Sequence, residues 1–442
     1  MDGKEYEIKM NKIMKNSFWM IFERIIQMII ALFINIFITR YLGAANYGLL
    51  NYSSSYIGLF LSISSLGLES IIINELVNSP DKEGEILGSS IFLRTLSGLF
   101  SIISVVIIVR LSNGNNLTLL IISILQSLIL FFRIYELLEY WFQAKYLSKY
   151  VTIIKISTYI IVTVYKLFLL FSKKSVVWFA FSNSLDCILI FILMICFFKK
   201  KSNINFSISK KMCIKLISRS YHFIWTGLMI SIYGETDKLM LGKLKNAMSV
   251  GIYSAGSYIS GLANFIPYAL INSLRPMIME EKMRNNEKYL ELLKDLYSIV
   301  FYFCLILAIF FTLFSKIIVC IIYGNGYNGA EIVLIIFSFS TIFSMLNVVR
   351  DIWFVCEEKE YLSKYIYLVG IIVNIVLNYF LIKLFGYYGA AIASLSSNVL
   401  TAIIIPMILK STKENVKILV NSLSIFRLKK AIKNIVFNKK LI

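Results

Sequence analysis

The sequence predicts an all-α polytopic membrane protein of about twelve transmembrane helices in two six-helix lobes. Apolar runs of about 18–25 residues recur along the 442-residue chain, which is the length that crosses roughly 30 Å of hydrocarbon. Apolar residues make up 58% of the chain and charged residues 16%, against roughly 45–50% and 25% in soluble proteins. An internal repeat is the third observation, and it predicts the division into lobes.

The repeat is the string Tyr-Leu-Ser-Lys-Tyr, which occurs at residues 146–150 and again at 361–365. Each copy follows an aromatic pair, Trp141-Phe142 in the first case and Trp353-Phe354 in the second. We interpret this as the trace of a duplicated half with six spans. Two such halves have the same orientation, so we expect them to be related by a pseudo-twofold axis along the membrane normal and to enclose a cleft.

The predicted organisation has five parts. Residues 1–16 form an N-terminal cytoplasmic amphipathic segment, 17–198 and 217–410 form the lobes, and 199–216 form a cytoplasmic linker. Residues 411–442 form a basic amphipathic cytoplasmic tail, expected to lie on the anionic inner leaflet. The predicted spans lie at 17–39, 45–68, 87–110, 116–136, 151–171, 176–198, 217–236, 249–272, 297–321, 331–355, 364–384 and 388–409.

The distribution of the net charge of +20 along the chain predicts the orientation of the protein in the membrane rather than nucleic-acid binding. If the N-terminus is cytoplasmic, the inner connections carry about 33 of the 45 Lys and Arg residues and the outer ones about nine. Both termini are therefore expected inside, with membrane lipids as partners and no nucleic acid.

Motifs for catalysis are missing from the sequence. There is no Walker, HExxH or GxSxG motif, one histidine, and six cysteines without metal-ligand spacing. We expect no catalytic residue and no metal site. The sequence therefore predicts a transporter and not an enzyme.

Cationic side chains within or at the ends of the predicted spans are candidates for binding an anionic substrate group. A charge at the bilayer centre costs several kcal/mol unless it faces a polar cavity or a partner. The candidates are Arg24, Arg94, Lys166 and Lys238. Alternatives remain open: Arg24 could pair with Glu23 or extend to the interface, Arg94 could extend to the interface, and Lys166 could reach outward.

Acidic and amide residues within or at the ends of the spans form a second set. Glu23, Asp186 and Asp237 are candidates for coupling transport to a proton or Na⁺ gradient, although Asp186 could instead hydrogen-bond a neighbouring helix. Asn374 and Asn378 are four residues apart and share a helix face, where they could pack helices or line a cleft. No cofactor is expected.

Four sequence motifs in order resemble a known family. They are Arg40–Gly48 (RYLGAANYG), Asp237–Gly242 with Val250–Ala255 (DKLMLG and VGIYSA), Tyr323–Tyr327, and Gly370–Ala393 with its paired asparagines and small residues. Together they resemble the Wzx-type polysaccharide-unit flippases of the multidrug/oligosaccharidyl-lipid/polysaccharide exporter superfamily.

The resemblance implies twelve helices in two lobes around a cation-lined cleft in a bacterial cytoplasmic membrane. It implies alternating-access transfer of an undecaprenyl-diphosphate-linked oligosaccharide for O-antigen or capsule synthesis, with Arg24 as the first candidate for the diphosphate. A polysaccharide polymerase and a chain-length regulator are the partner proteins expected. The alternatives are a lipid II-type flippase and a cation-coupled multidrug antiporter of the same superfamily.

Overall fold

The structure, a computed structural model, describes the backbone of residues 3–114 and 116–437. Side chains are described for Trp19 and from Phe22 to Asn434, except at positions 115 and 432. The amphipathic character predicted for residues 1–16 therefore lies outside the described side chains. All regular structure in the described residues is helical, and the chain divides into two compact units, Met1–Glu235 and Thr236–Ile442.

The first unit contains eight α-helices, the last of which continues into the second unit. They are α1 (Gly3–Ser65), α2 (Glu69–Asn78), α3 (Glu83–Asn113), α4 (Leu117–Phe132), α5 (Tyr135–Ala144), α6 (Ser148–Phe171), α7 (Val176–Lys201) and α8 (Lys210–Leu244). The second unit adds α9 (Ala247–Ala263), α10 (Phe265–Arg284), α11 (Asn286–Tyr323), α12 (Ala330–Cys356), α13 (Glu360–Phe385), α14 (Tyr387–Val399), α15 (Ile405–Ile408), α16 (Lys413–Ser422) and α17 (Ile425–Phe437). A π-helical segment, Leu400–Ile404, joins α14 to α15.

Within the described residues, nine helical segments are long and apolar enough to cross a membrane. One of them, Phe22–Asn78, contains the first two predicted spans, so the nine account for ten of the twelve. The remaining predicted spans, 217–236 and 249–272, are almost wholly helical and lie in α8 and in α9 with α10, which are more polar. Because polar side chains are costly in hydrocarbon, we expect α8 to α10 to face protein or water over much of their surface.

Gly43 bends α1 between the first two predicted spans. Its φ of 68° and ψ of 170° interrupt an otherwise continuous helix of 63 residues. Glycine adopts this conformation at little cost, whereas a side chain would be strained there. No atom lies within 4 Å of the position that a Cβ would take, so conformation and not space requires glycine.

The internal repeat is visible in the backbone, but in a different register from the repeated string. The amide N–H of Leu147 donates to the carbonyl of Phe142, and the amide of Lys359 donates to the carbonyl of Phe354, both at 2.8 Å. The preceding residue, Tyr146 or Glu358, has a positive φ in each case. The two turns therefore correspond through their Trp-Phe pairs, and Tyr361 lies three residues beyond the equivalent of Tyr146.

The predicted linker 199–216 is partly helical and packs on the first unit. Helix α7 ends at Lys201 and α8 begins at Lys210, so the non-helical part is only 202–209. Within it, the Ser207 amide donates to the carbonyl of Gly84 at 3.1 Å. A Cβ at Gly84 would lie 2.2 Å from the carbonyl oxygen of Asn205, so this close approach requires glycine. The compact units divide further along, within α8.

The tail is two helices rather than the single helix expected from residue 413 on. Both α16 and α17 pack against α11. The Tyr297 hydroxyl donates to the Asn415 side chain at 3.1 Å, and the Tyr302 hydroxyl donates to the Leu423 carbonyl at 2.6 Å. The guanidinium of Arg427 lies 2.6 Å from the carboxylate of Asp295. A face of the tail is therefore bonded to the protein, which the charge pattern alone did not predict.

Candidate functional site

The second unit contains a buried carboxylate, Asp237, to which three neutral groups donate hydrogen bonds. The Tyr253 hydroxyl lies 2.5 Å away, the Asn378 side-chain amide lies 2.6 Å away, and the Ser394 hydroxyl also donates. Asn378 donates in addition to the side-chain oxygen of Asn374 at 3.0 Å. We call Asp237, Tyr253, Asn374, Asn378 and Ser394 the Asp237 cluster.

Helix packing brings the Asp237 cluster together from α8, α9, α13 and α14. Asn374 and Asn378 are 2% and 0% exposed on the same face of α13. Helix α14 approaches closely because it begins with small residues, and a Cβ at Gly389 would lie 2.0 Å from the carbonyl oxygen of Leu381. This close contact sets Ser394, one turn and a half further on, against Asp237. The sequence predicted the paired amides and the small residues, but not their common partner.

The Asp237 cluster has the composition of a site for one small cation or one proton. Asp237 is 6% exposed, and its donors in the described residues are all uncharged. The side-chain oxygen of Asn378 is buried and has no hydrogen-bond partner. A buried carboxylate without a positive partner is costly unless a cation or proton neutralises it. Carboxylate, amide and hydroxyl oxygens are also the ligands that hard cations prefer.

Lys238 is the next residue on α8 but is not part of this cluster. It is half-buried, and it is not one of the three donors to Asp237. Consecutive helical residues point to different faces, so the two predicted site residues are separated although they are adjacent in sequence. Lys238 has other interactions of its own.

Glu23 and Arg24 are likewise adjacent in sequence but lie on different faces of their helix, α1. The Glu23 carboxylate lies 3.6 Å from the ammonium of Lys155 on α6, which also lies 2.7 Å from the carboxylate of Glu139. Arg24 is exposed and forms no hydrogen bond or ion pair with the described side chains. Glu23 is thus held by a lysine that sequence reasoning missed, whereas Arg24 remains available to an anion.

Arg94 is buried and paired with an acidic residue, which argues against its predicted role as a substrate cation. The residue is 1% exposed, and its guanidinium lies 2.9 Å from the carboxylate of Glu136. Arg133 contacts the same carboxylate from the neighbouring turn. A buried guanidinium is tolerated in the lobe because this carboxylate neutralises it. Arg94 is a structural residue, and Glu136 was the signal that could have shown it.

Lys166 and Asp186 lie in different surroundings of the first unit. The ammonium of Lys166 donates to the Asn183 side-chain oxygen at 3.3 Å, and Lys166 lines a partly open cavity of about 120 Å³. One carboxylate oxygen of Asp186 is buried without a hydrogen-bond partner. The two residues interact electrostatically but form no ion pair within 4.0 Å. The structure therefore places Lys166 within one unit, at a cavity that sequence reasoning did not foresee.

Family models match both parts of the chain. The model described as "Polysaccharide biosynthesis protein" matches residues 13–282, which is more than half of the 442 residues. The model described as "Lipid II flippase MurJ" matches residues 239–437. The motif resemblance in the sequence pointed to the same superfamily.

Similar proteins act in polysaccharide and glycan biosynthesis according to their names. The "Capsular polysaccharide biosynthesis protein CapF" of Staphylococcus aureus is 23% identical over 394 residues, covering 86% of this chain and 94% of CapF. The "Probable low-salt glycan biosynthesis flippase Agl15" of Haloferax volcanii is 24% identical over 164 residues, covering 37% of this chain and 34% of Agl15.

Solved structures share the fold. The lipid II flippase MurJ in an inward closed conformation has a TM-score of 0.68 at 15% identity, covering 96% of this chain and 93% of that chain. An inward-facing multidrug resistance MATE family transporter has a TM-score of 0.69 at 14% identity, covering 90% and 96%. These neighbours have the twelve-helix, two-lobe fold, which confirms the predicted fold class. The chain therefore belongs to the polysaccharide biosynthesis protein family, and it is a multi-pass membrane transporter of the multidrug/oligosaccharidyl-lipid/polysaccharide exporter superfamily.

Proposed function

We propose that the protein translocates an oligosaccharide linked to undecaprenyl diphosphate across the bacterial cytoplasmic membrane, from the inner to the outer leaflet, by alternating access. The family match and the names of CapF and Agl15 support a glycan cargo. The predicted excess of positive charge on inner connections supports cytoplasmic termini. A polymerase and a chain-length regulator are the proposed partners.

The observation that carries this proposal is that Arg24 is exposed and forms no ion pair within 4.0 Å with the described side chains. Among the four predicted cations, Arg94 is buried and neutralised by Glu136, and Lys166 lies at a cavity within one unit. Arg24 is exposed in the first span, where it interacts electrostatically with Glu23 but forms no ion pair within 4.0 Å with the described side chains. A guanidinium binds phosphate oxygens in a bidentate manner, so Arg24 is suited to the diphosphate of a lipid carrier.

Replacement of Arg24 tests its role in transport. Arg24→Ala should reduce surface polysaccharide and trap the lipid-linked unit in the inner leaflet, whereas Arg24→Lys should retain part of the activity because it keeps the charge. Arg284→Ala is the matched control, because Arg284 is exposed in the last turn of α10 and pairs with Glu280 four residues earlier. Full transport by Arg24→Ala, with normal insertion, would remove Arg24 from the substrate site.

A lipid II-type flippase is the second candidate, because the MurJ family model matches residues 239–437. Both cargoes would present a diphosphate to Arg24, so the glycan distinguishes them. Depletion of the protein should trap the polysaccharide repeat unit on its carrier if the first proposal is correct. Accumulation of the cell-wall precursor with normal surface polysaccharide would favour the second.

We propose that Asp237 binds the coupling ion, with Na⁺ as the first candidate and a proton as the alternative. The cluster offers one carboxylate together with amide and hydroxyl oxygens, and the Asn378 oxygen has no donor. A single formal negative charge suits a monovalent cation better than a divalent one. Glu23 is the weaker candidate because Lys155 neutralises it, and Asp186 remains a candidate for a second proton site.

A further inference from the structure

The first unit contains a polar cavity that the proposed diphosphate and ion sites do not use. Its volume is about 120 Å³, and it is partly open and lined by residues of α1, α4, α6 and α7. Polar side chains from all four helices converge on it, among them Asn51, Ser54, Gln126, Lys166 and Asn183. No aspartate or glutamate lines it. The cavity is therefore rich in amide and ammonium donors.

Gln126 is the most informative of these residues. It is 1% exposed, and its side-chain oxygen accepts a hydrogen bond from the Ser54 hydroxyl at 3.4 Å. Its side-chain nitrogen is buried and has no partner. A buried amide donor left without a partner destabilises a fold by about 1–3 kcal/mol. Gln126 is one of the residues that line the cavity, so a rotation of its side chain would bring this donor to an occupant.

Lys166 supplies a second set of donors to the same cavity. An ammonium group has three N–H donors, and the only hydrogen bond of Lys166 in the described residues goes to the Asn183 side-chain oxygen at 3.3 Å. In the described residues it interacts electrostatically with Asp186 but forms no ion pair within 4.0 Å. The remaining donors of Lys166 are available to oxygen atoms of an occupant.

The shape and the remaining lining indicate which occupant would fit. At roughly 30 Å³ per water molecule, the cavity has room for about four waters or for the edge of one sugar ring. Tyr47 and Phe179 place aromatic rings in the lining. An aromatic face combined with amide and ammonium donors suits a pyranose, which has apolar C–H faces and a rim of oxygen acceptors.

We propose that this cavity is a saccharide subsite, which takes the oxygen-bearing edge of one sugar residue of the transported unit. The inference rests on the proposed glycan cargo and adds to it a recognition site inside the first unit. Gln126 and Lys166 donate to hydroxyl or acyl oxygens of the sugar, and the Asn51 and Ser54 side chains lie on the same wall. Selection of the glycan is thereby separate from binding of the diphosphate.

Two probes test this proposal on the purified full-length protein. One is the free repeat-unit oligosaccharide, released from the lipid carrier of the producing strain by mild acid, and the other is undecaprenyl diphosphate without a sugar. Binding is measured by calorimetry with wild type, Gln126→Leu and Lys166→Met. Each substitution should weaken oligosaccharide binding about tenfold, as loss of one charge-assisted or otherwise unpaired hydrogen bond predicts, and leave carrier binding unchanged.

Controls and outcomes separate this proposal from the proposed function. Gln143→Leu and Lys174→Met remove the same side chains outside the cavity and should bind both probes like wild type. Unfolding temperatures identify any variant that fails to fold. In that case Lys166→Gln, at the edge of the cavity, is measured in its place. Unchanged oligosaccharide binding by the variants, or no binding by wild type, overturns the subsite even if depletion traps the lipid-linked unit. If depletion traps nothing, the flippase proposal fails instead.

Discussion

The guanidinium of Arg350 donates a hydrogen bond to the carbonyl oxygen of Thr401 at 2.5 Å. Thr401 lies in the π-helical segment, where the amide of Ile405 donates to the carbonyl of Leu400. In an α-helix the Thr401 carbonyl would accept from the amide of Ile405, which here donates to Leu400 instead. In a π-helix it would accept from residue 406, which is a proline and has no N–H. The Thr401 carbonyl therefore has no main-chain donor. Arg350 is 1% exposed and supplies the donor that the backbone cannot.

Restoring the missing backbone donor should make Arg350 less important. Arg350→Gln in the wild-type background should destabilise the second unit by about 2–3 kcal/mol, because it leaves a buried carbonyl unpaired. In a Pro406→Ala background residue 406 regains its N–H, and the same change should cost about 1 kcal/mol less. Unfolding of the purified variants measures this coupling.

Pro276→Ala is the matched control background for that double-mutant cycle. Pro276 lies inside α10 and is not part of the Arg350 contact. The cost of Arg350→Gln should therefore be the same with and without Pro276→Ala. Equal costs in the Pro406→Ala and wild-type backgrounds would show that Arg350 does not replace the missing donor.

Sodium ions should stabilise the protein through the Asp237 cluster. A ligand that binds only the folded state stabilises it by about 1.4 kcal/mol for each tenfold excess over its dissociation constant. The unfolding temperature should therefore rise with Na⁺ concentration at constant ionic strength, with K⁺ as the balancing ion. Asp237→Asn should abolish the rise because it removes the only carboxylate of the cluster.

A carboxylate elsewhere in the same unit provides the control for the sodium experiment. Glu331→Gln changes a side chain that bonds the Gly329 amide at the start of α12, and it should keep the Na⁺ response. A wild-type protein whose stability depends on pH but not on Na⁺ would assign a proton to the cluster. Retention of the Na⁺ response by Asp237→Asn would place the ion elsewhere.

The three charges around Glu136 should contribute unequally to stability. Glu136→Gln leaves Arg94 buried without a counter-charge and should destabilise the protein by about 3–5 kcal/mol. Arg133→Met leaves a neutral Arg94–Glu136 pair, and since Arg133 is about one third exposed, the change should cost less than about 1 kcal/mol. Unfolding temperatures in detergent test this order, and equal losses would contradict the assignment of Arg94 as a structural residue.

The tail should detach when Arg427 is removed. Arg427→Ala leaves the buried carboxylate of Asp295 without its cation and removes a hydrogen bond to the Glu291 carbonyl. Trypsin should then cleave after Lys429 and Lys430 faster than in wild type, by roughly tenfold for a loss of about 1.4 kcal/mol. Lys417→Ala, an exposed residue of α16, is the control and should not change the cleavage rate. An unchanged rate in Arg427→Ala would show that other contacts, such as those of Tyr297 and Tyr302, hold the tail without Arg427.

The sequence determined the features that depend on local periodicity and on the thickness of the bilayer. The lengths of the apolar runs predicted helices that the structure contains, and the spacing of Asn374 and Asn378 predicted a shared face. The small residues at the start of α14 predicted close packing, which the contact at Gly389 confirms. Each of these follows from residues less than about one helix apart.

Only the tertiary structure decided which polar groups neutralise one another. Glu136 meets Arg94 from 42 positions away, and Asn378 meets Asp237 from 141 positions away, so no local pattern contains either pair. The register of the repeat was likewise fixed by the backbone turns after Trp141 and Trp353, and not by the identical string. Such long-range pairs depend on how whole helices pack, because a buried charged group needs an oppositely charged or hydrogen-bonding partner beside it. Only the packing of distant helices places that partner.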